Sequence, residues 1–177
     1  DDSLKGGGNT DTLKGEGGDD IIQGEGGADI SVTNSSIYAT GYSSGSLGGS
    51  NQGDWDLVTI EYNDRGVQQE VQQIGTSSRD SGQSLTVDSS GNIYVTGSTG
   101  GGFDGNSSSG NYDMVLIKYS NSPNTLTKQW SRQLGGSNYD YGNGIAADSL
   151  GNVYVAGGSG DGFDGYTVSG GRDVFIT

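Results

Sequence analysis

The stretch VDSSGNIYVTGSTGGGFDG, beginning at Val87, returns sixty residues later as ADSLGNVYVAGGSGDGFDG, beginning at Ala147. A chain that repeats itself at this period folds into like units packed side by side, because one such unit cannot bury its own apolar face. Beyond a glycine-rich stretch, each copy is followed by an aspartate that opens an apolar run: DMVLIKY from Asp113 and DVFIT from Asp173. A weaker copy comes first, SVTNSSIYATG from Ser31 and then DLVTIEY from Asp56. EVQQIGTSSRDSG from Glu70 and WSRQLGGSNYDYG from Trp130 align with each other between these runs, so the period is 56 to 60 residues over residues 30 to 177.

In the middle unit the pattern predicts four short strands, at Ser84–Asp88, Ile93–Gly97, Asp113–Tyr119 and Thr127–Leu134. Apolar residues alternate or run together there over strand-like lengths. DSSGN joins the first two strands as a turn in which Gly91 and Asn92 can adopt positive φ. Four antiparallel strands at this period describe a propeller blade. The elements GNIYVTG, the G-x-x-D before the third strand and the WSRQLGG element resemble the bacterial SBBP family of β-propeller repeats, over about four-fifths of the chain. A β-sandwich or β-solenoid built from the same strands is the rival reading; propeller-type blades are the expectation.

Residues 2 to about 31 follow a different rule, a period of nine. Asp11, Asp20 and Asp29 keep that interval, and so do Gly6, Gly15 and Gly24. Six residues suit a tight turn that needs glycine, and three suit a short strand with one inward apolar residue, here Leu4, Leu13 and Ile22. The segment resembles the RTX (hemolysin-type) calcium-binding nonapeptide, G-G-x-G-x-D-x-U-x. The resemblance implies a short parallel β-roll whose turns hold Ca²⁺ through Asp11, Asp20 and Asp29 and the carbonyls of Gly6, Gly8, Gly15, Gly17, Gly24 and Gly26. In that family facing turns lie eighteen residues apart. The turns Gly6–Asp11 and Gly24–Asp29 form such a pair, and the turn at Gly15–Asp20 needs a partner from elsewhere. Asn9 stands where the family has glycine. Ser31 stands where an inward apolar residue belongs, so the roll is expected to end there. The expected division is therefore a roll over 1–31 and about two and a half blades over 32–177.

The composition agrees with an all-β chain of this kind. Glycine numbers 36 and proline 1, with 29% hydrophobic residues. That mixture also occurs in disordered chains, but here the glycines recur in phase. Cysteine and histidine are absent, which removes disulfides, thiolate chemistry and zinc sites of the usual type. The net charge of −14, from 8 basic and 22 acidic residues, disfavours nucleic acid and anionic membranes and favours hard cations. No P-loop or nucleophile elbow is present. The acidic residues recur with the repeats, which marks them as architecture rather than catalysis, and no catalytic residue is expected.

Asp88 and Asp148, heading the D-S-x-G-N turns, are expected to cap them, with a cation site as the alternative reading. Phe103 and Phe163 are expected to anchor the long loops, with Asp104 and Asp164 as turn residues. Asp56, Asp113 and Asp173 are expected to close a shared turn by a hydrogen bond. Tyr38, Tyr94 and Tyr154 are expected to be equivalent and buried between blades, and Trp130 to pack. Trp55 and Tyr112, each one residue before a strand-opening aspartate, are the candidates for ligand contact. The expected function is that of a non-catalytic, calcium-binding structural or adhesive protein of a bacterial surface, extracellular and, as the RTX resemblance implies, secreted by the type I route. The expected partners are calcium, other copies or flanking repeats, and surface glycans, without nucleic acid or membrane insertion. The alternative is a glycan- or protein-binding propeller module of a larger secreted protein. Because the chain opens within a nonapeptide and its last strand breaks off at DVFIT, a longer chain or an assembly is expected.

Overall fold

The computed structural model describes residues 3–5, 21–23, 28–33, 35–122, 125–162 and 173–176, with side chains described for 28–33, 35–120 and 125–162. Thirteen strands and one turn of 3₁₀ helix account for the regular structure among the described residues. Three antiparallel sheets follow one another along the chain. The first joins β3 (Asp29–Val32), β4 (Ser36–Ser43), β5 (Asp56–Asn63) and β6 (Gln68–Ile74) in that order. The second joins β7 (Asp80–Val87), β8 (Ile93–Thr99), β9 (Asp113–Ser122) and β10 (Thr125–Leu134). The third joins β11 (Asp140–Ala147), β12 (Val153–Ser159) and β13 (Asp173–Ile176). Each sheet is an up-and-down meander. β3, β7 and β11 run along one side of the array, and β6 lies beside β10 on the other. This is the arrangement of propeller blades, open rather than closed among the described residues. The first sheet takes in Asp29, Ile30 and Ser31, on the roll side of the expected boundary.

The period-two pattern decides which sheet each face meets. In β8, Ile93 and Val95 join Tyr38 and Leu57 of the first sheet, with Val115, Ile117 and Tyr119 of β9, in one core. Side chains of the opposite parity face the third sheet, where Met114 and Val155 pack with Leu116, Leu134 and Ile145. The middle sheet is thus covered on both faces, and all seven residues of β8 are buried.

Close approach between sheets rests on a repeated glycine. A Cβ on Gly82 would lie 2.1 Å from Thr40 Oγ1, and one on Gly142 would lie 2.0 Å from Thr96 Oγ1. Those hydroxyls donate to the Val58 and Val115 carbonyls at 2.9 Å. The strand register shifts at the same two glycines, between Gly82 and Ser84 and between Gly142 and Gly144, a bulge that increases the local twist.

Tyr38, Tyr94 and Tyr154 hold the same place in β4, β8 and β12. Tyr38 and Tyr94 are buried, at 2% and 4% exposure, but Tyr154 is 47% exposed. Its parity points it to the outer face of the third sheet, over which no further sheet lies among the described residues. Trp130 also departs from expectation. It is 36% exposed, because its own neighbours on that face, Tyr94 at 6.3 Å between ring centroids and Arg132 at 5.7 Å, only partly cover the indole.

Apart from the three sheets, β1 (Ser3–Lys5) and β2 (Ile21–Gln23) pair in parallel, with Ser3 opposite Ile21, Leu4 opposite Ile22 and Lys5 opposite Gln23.

Candidate functional site

At one end of each sheet junction the same side chains meet twice. The four aspartates that open β5, β7, β9 and β11 (Asp56, Asp80, Asp113 and Asp140) are all fully buried. Each closes the turn before it by accepting a hydrogen bond from the backbone four residues back. The donors are Gln52 N to Asp56 at 2.9 Å, Thr76 N to Asp80 at 2.6 Å, Ser109 N to Asp113 at 2.8 Å and Gly136 N to Asp140 at 2.7 Å. The turn-closing role expected of Asp56 and Asp113 is what their carboxylates perform, and Asp80 and Asp140 share it. The side chain of Asp173 lies outside the described residues.

A glutamine on the fourth strand completes the unit. Gln73 Nε2 donates to Asp56 at 2.9 Å and to the Gly45 carbonyl at 2.8 Å, while its oxygen accepts from Leu47 N at 2.7 Å. Gln133 repeats all three bonds, to Asp113 at 2.7 Å, to the Gly101 carbonyl at 2.9 Å and from Phe103 N at 2.8 Å. One amide thus ties the long loop between the second and third strands to the buried aspartate. Sequence reasoning met Gln133 only as part of the WSRQLGG element and gave neither glutamine a role. Their signal was the glutamine two residues before glycine in both QQIG and RQLG.

The aspartates come in pairs across each junction. A Cβ on Gly135 would meet Asp113 Oδ1 at 2.3 Å and Asp140 Oδ2 at 2.9 Å, and one on Gly75 would meet Asp56 Oδ1 at 2.1 Å. Burial pushes the Asp80 carboxyl up, against hydrogen bonds from Thr99 and Thr76, and the neighbouring Asp56 charge pushes it up further. Asp56 Oδ1, Asp113 Oδ1 and Asp140 Oδ1 have no hydrogen-bond partner among the described residues. Among the described residues the ion pairs are Arg79 with Asp54 and Lys128 with Asp104, so no basic side chain offsets these four carboxylates. Nor do three or more acidic side chains gather into a cluster that could hold a metal among the described residues.

The D-S-x-G-N turns are capped as expected. Asp88 accepts from Ser90 N, Asn92 N, Asn92 Nδ2 and the Tyr94 hydroxyl at 2.8, 2.9, 2.7 and 3.2 Å. Asp148 repeats the set with Leu150, Asn152 and Tyr154. Burial would raise the Asp88 carboxyl, but its four hydrogen bonds outweigh that and hold it below the usual carboxylate value. Gly91 has φ +82° as expected of this turn, whereas Asn92, which uses its side chain to hold Asp88, is not at positive φ. Phe103 is fully buried and anchors its loop. Asp104 beside it takes φ +52°, ion-pairs with Lys128 and accepts from Ser131 at 2.6 Å. The side chains of Phe163 and Asp164 lie outside the described residues.

Above the buried aspartates sits an aromatic layer containing both candidate contact residues. Trp55 bridges to Arg79 and Tyr112 bridges to Tyr139, each pair parallel. The backbone carbonyls of Trp55 and Tyr112 accept from Asp80 N at 2.8 Å and Asp140 N at 2.7 Å. Trp55 stacks with Tyr42 at 4.4 Å, and Arg79 lies over its ring at 4.4 Å, so both neighbours pack on the indole. Tyr112 instead meets two further rings, Tyr139 and Tyr141.

Of the residues expected to bind calcium, Asp11, Asp20, Gly6, Gly8, Gly15, Gly17, Gly24 and Gly26 lie outside the described residues. Asp29 is described and sits on β3. Its Oδ2 accepts from Ser84 Oγ at 2.7 Å and Leu85 N at 2.9 Å, and its Oδ1 from Ile30 N at 2.8 Å. This carboxylate joins the first sheet to the second.

The comparison with known families bears on the sheets. The family model described as a beta-propeller repeat, SBBP, matches residues 71–104 and 129–164. The two matches cover the same part of the unit twice, from the fourth strand of one sheet through the first two strands of the next and into the loop that follows them. They contain Gln73 and Gln133, Asp80 and Asp140, and both capped turns. No curated protein matches the chain. SBBP repeats describe a structural or binding module, and the buried, hydrogen-bonded aspartates at the junctions serve that architecture.

Proposed function

We propose that this chain is a non-catalytic, calcium-binding structural or adhesive repeat protein that works outside a bacterial cell, at its surface. In this reading a short RTX-type roll is joined to SBBP-type blades. The observation that carries the calcium part is the register of β1 and β2. Ser3 pairs with Ile21 in parallel, an offset of two nonapeptides, which is the offset at which successive coils of such a roll stack. Leu4 and Ile22, read as inward apolar residues, fall opposite each other. The donor set, aspartate carboxylates and glycine carbonyls, is all oxygen and suits a hard cation. Asp11 and Asp20 are the carboxylates assigned to it; Asp29 keeps the nine-residue spacing, but its oxygens are engaged by Ile30, Ser84 and Leu85. Calcium would order the roll only where the ion is plentiful, outside the cell, which agrees with type I secretion. Open blade edges and faces suit association with further blades or copies.

The test is calorimetric titration of Ca²⁺ into the EDTA-treated chain, followed by circular dichroism. Saturable binding with a gain of β signal is expected, lost in Asp11→Ala and kept in Glu16→Ala, since Glu16 stands at a variable position of the nonapeptide. Absence of both heat and spectral change, or an Asp11→Ala variant that titrates like the parent, refutes the calcium reading.

A further inference from the structure

The two sheet junctions carry equivalent residues, and a few exchanges set them apart. At the first, both oxygens of Asp80 are satisfied. Thr99 Oγ1 donates to Oδ1, and Thr76 N and Oγ1 donate to Oδ2 at 2.6 and 2.9 Å. At the second, Gly136 stands in the place of Thr76 and offers only its backbone N, at 2.7 Å from Asp140 Oδ2. Ser159 stands in the place of Thr99. It lies directly opposite Asp140 in the pairing of β11 with β12, so both side chains share one face of the sheet. Ser159 is 2% exposed, yet neither its hydroxyl nor Asp140 Oδ1 has a hydrogen-bond partner among the described residues.

The second junction has also gained a carboxylate. Asp161 takes the place of Gly101, and this exchange is coupled to the one at Gly136. A Cβ on Gly101 would lie 2.7 Å from Thr76 Oγ1, and one on Gly136 would lie 2.4 Å from Asp161 Oδ1. A side chain at one of the two positions therefore excludes a side chain at the other. Asp161 Oδ2 accepts from Ser137 N at 2.8 Å and from the Ser137 hydroxyl, while its Oδ1 is buried without a partner. Across Gly135, Asp113 faces Asp140: a Cβ there would lie 2.3 Å from Asp113 Oδ1 and 2.9 Å from Asp140 Oδ2. Ser109 N and Gln133 Nε2 occupy Asp113 Oδ2, which leaves Oδ1 over. Among the described residues, then, Asp113 Oδ1, Asp140 Oδ1, Ser159 Oγ and Asp161 Oδ1 are all buried and unpartnered at this junction, and no basic side chain pairs with any of them.

We propose that the junction between the second and third sheets holds a structural calcium ion, bound by Asp113 Oδ1, Asp140 Oδ1 and Ser159 Oγ, with Asp161 adding its charge from behind Gly136. Buried carboxylates without a basic partner need positive charge from another source. A proton would serve one pair of oxygens and leave the serine hydroxyl as it is. A hard cation draws lone pairs from several oxygens at once, and every unpartnered atom here is oxygen. Three carboxylates do not close into one cluster, so two of them are the direct ligands. This goes beyond the calcium reading of the roll and does not depend on it, since the site lies between the second and third sheets. Its oxygens are sealed from solvent. The ion is therefore taken up as the sheets close, stays through EDTA treatment, and does not appear in the titration of the roll.

The experiment is elemental analysis with native mass spectrometry of the full chain, folded in calcium, treated with EDTA and desalted. One equivalent of calcium per chain is expected to remain. Asp11→Ala, in the roll, should retain it, and Asp140→Asn should lose it. Ser159→Ala, a milder change that leaves both carboxylates in place, should release it to EDTA at least tenfold faster. Refolding Asp11→Ala from urea, once in EDTA and once in calcium, adds a readout that does not involve the roll: the form refolded in calcium should melt higher. A treated chain free of calcium, loss of the ion from Asp11→Ala, a Ser159→Ala variant that holds it as long as the parent, or equal melting of the two refolded forms would each overturn the proposal.

Discussion

Tyr94 and Tyr154 offer a comparison in which most terms cancel. They occupy the same strand position, and their hydroxyls donate to the capping aspartates Asp88 and Asp148 at the same 3.2 Å. They differ in cover. Tyr94 is 4% exposed and faces the third sheet, with Lys118 Nζ 5.2 Å from its ring centre, whereas Tyr154 is 47% exposed on that sheet's outer face. A buried aromatic removes about 200 Å² from water, worth at most about 5 kcal/mol at about 25 cal/mol/Å². Aromatic-to-alanine changes in cores cost about 3–5 kcal/mol. Tyr94→Ala should therefore lose about 3–4 kcal/mol. Tyr154→Ala, with about half the burial, should lose about 1.5–2 kcal/mol by the same area argument. Urea unfolding followed by far-ultraviolet circular dichroism measures both. Equal losses, or a larger loss at Tyr154, would refute the assignment of faces and with it the stacking of the sheets as blades.

Other expectations follow from the junctions. Gly135→Ala drives a Cβ into Asp113 and Asp140 and should cost about 1–3 kcal/mol, whereas Gly144→Ala, which meets nothing within 4 Å, should stay within about 0.5 kcal/mol; thermal melts of the two variants decide it. Asp88→Asn should destabilise by about 1 kcal/mol at neutral pH through loss of a charged cap. Because the folded-state value of Asp88 is lowered from 3.8, its contribution is present above that value and lost as pH falls through the folded-state value, so wild type and variant should converge in acid melts. Asp80 has the opposite sign. Its folded-state value is raised from 3.8, so the wild type should lose stability relative to Asp80→Asn as pH rises from 3.8 through that raised value, read by the same melts. Asp29→Ala should destabilise the sheets with or without calcium, because its carboxylate holds Ser84 and Leu85; a loss seen only in calcium would contradict that role.

Much of the architecture was legible because it is local. The period of the apolar pattern, the D-S-x-G-N turns and the aspartates before strands depend on residues within one unit, and three strands of the middle sheet begin within two residues of where alternation places them, whereas β7 begins at Asp80, four residues before the expected Ser84, and leaves Asp88 to the turn. Capping by Asp88 was legible for the same reason, since all four of its donors lie within six residues. The glutamines were harder to read. Gln73 reaches Asp56 and Gly45 across 17 and 28 residues, and only its repetition at Gln133 hinted at a task.

By itself the sequence determined the strand units, their order and their turns, because period-two burial and glycine-dependent turns are properties of neighbouring residues. The tertiary structure decided what covers each face. Identical motifs place Tyr94 and Tyr154 alike, yet one is buried and the other is not, because burial depends on whether another sheet lies opposite. Asp29 continues a nine-residue rhythm in the sequence, but in the fold it bonds a strand more than fifty residues away. The cluster of three tyrosines arises in the same way: Tyr112 stands at the head of one sheet's third strand, Tyr139 and Tyr141 at the start of the next sheet, and only the packing of sheet on sheet brings the three rings together.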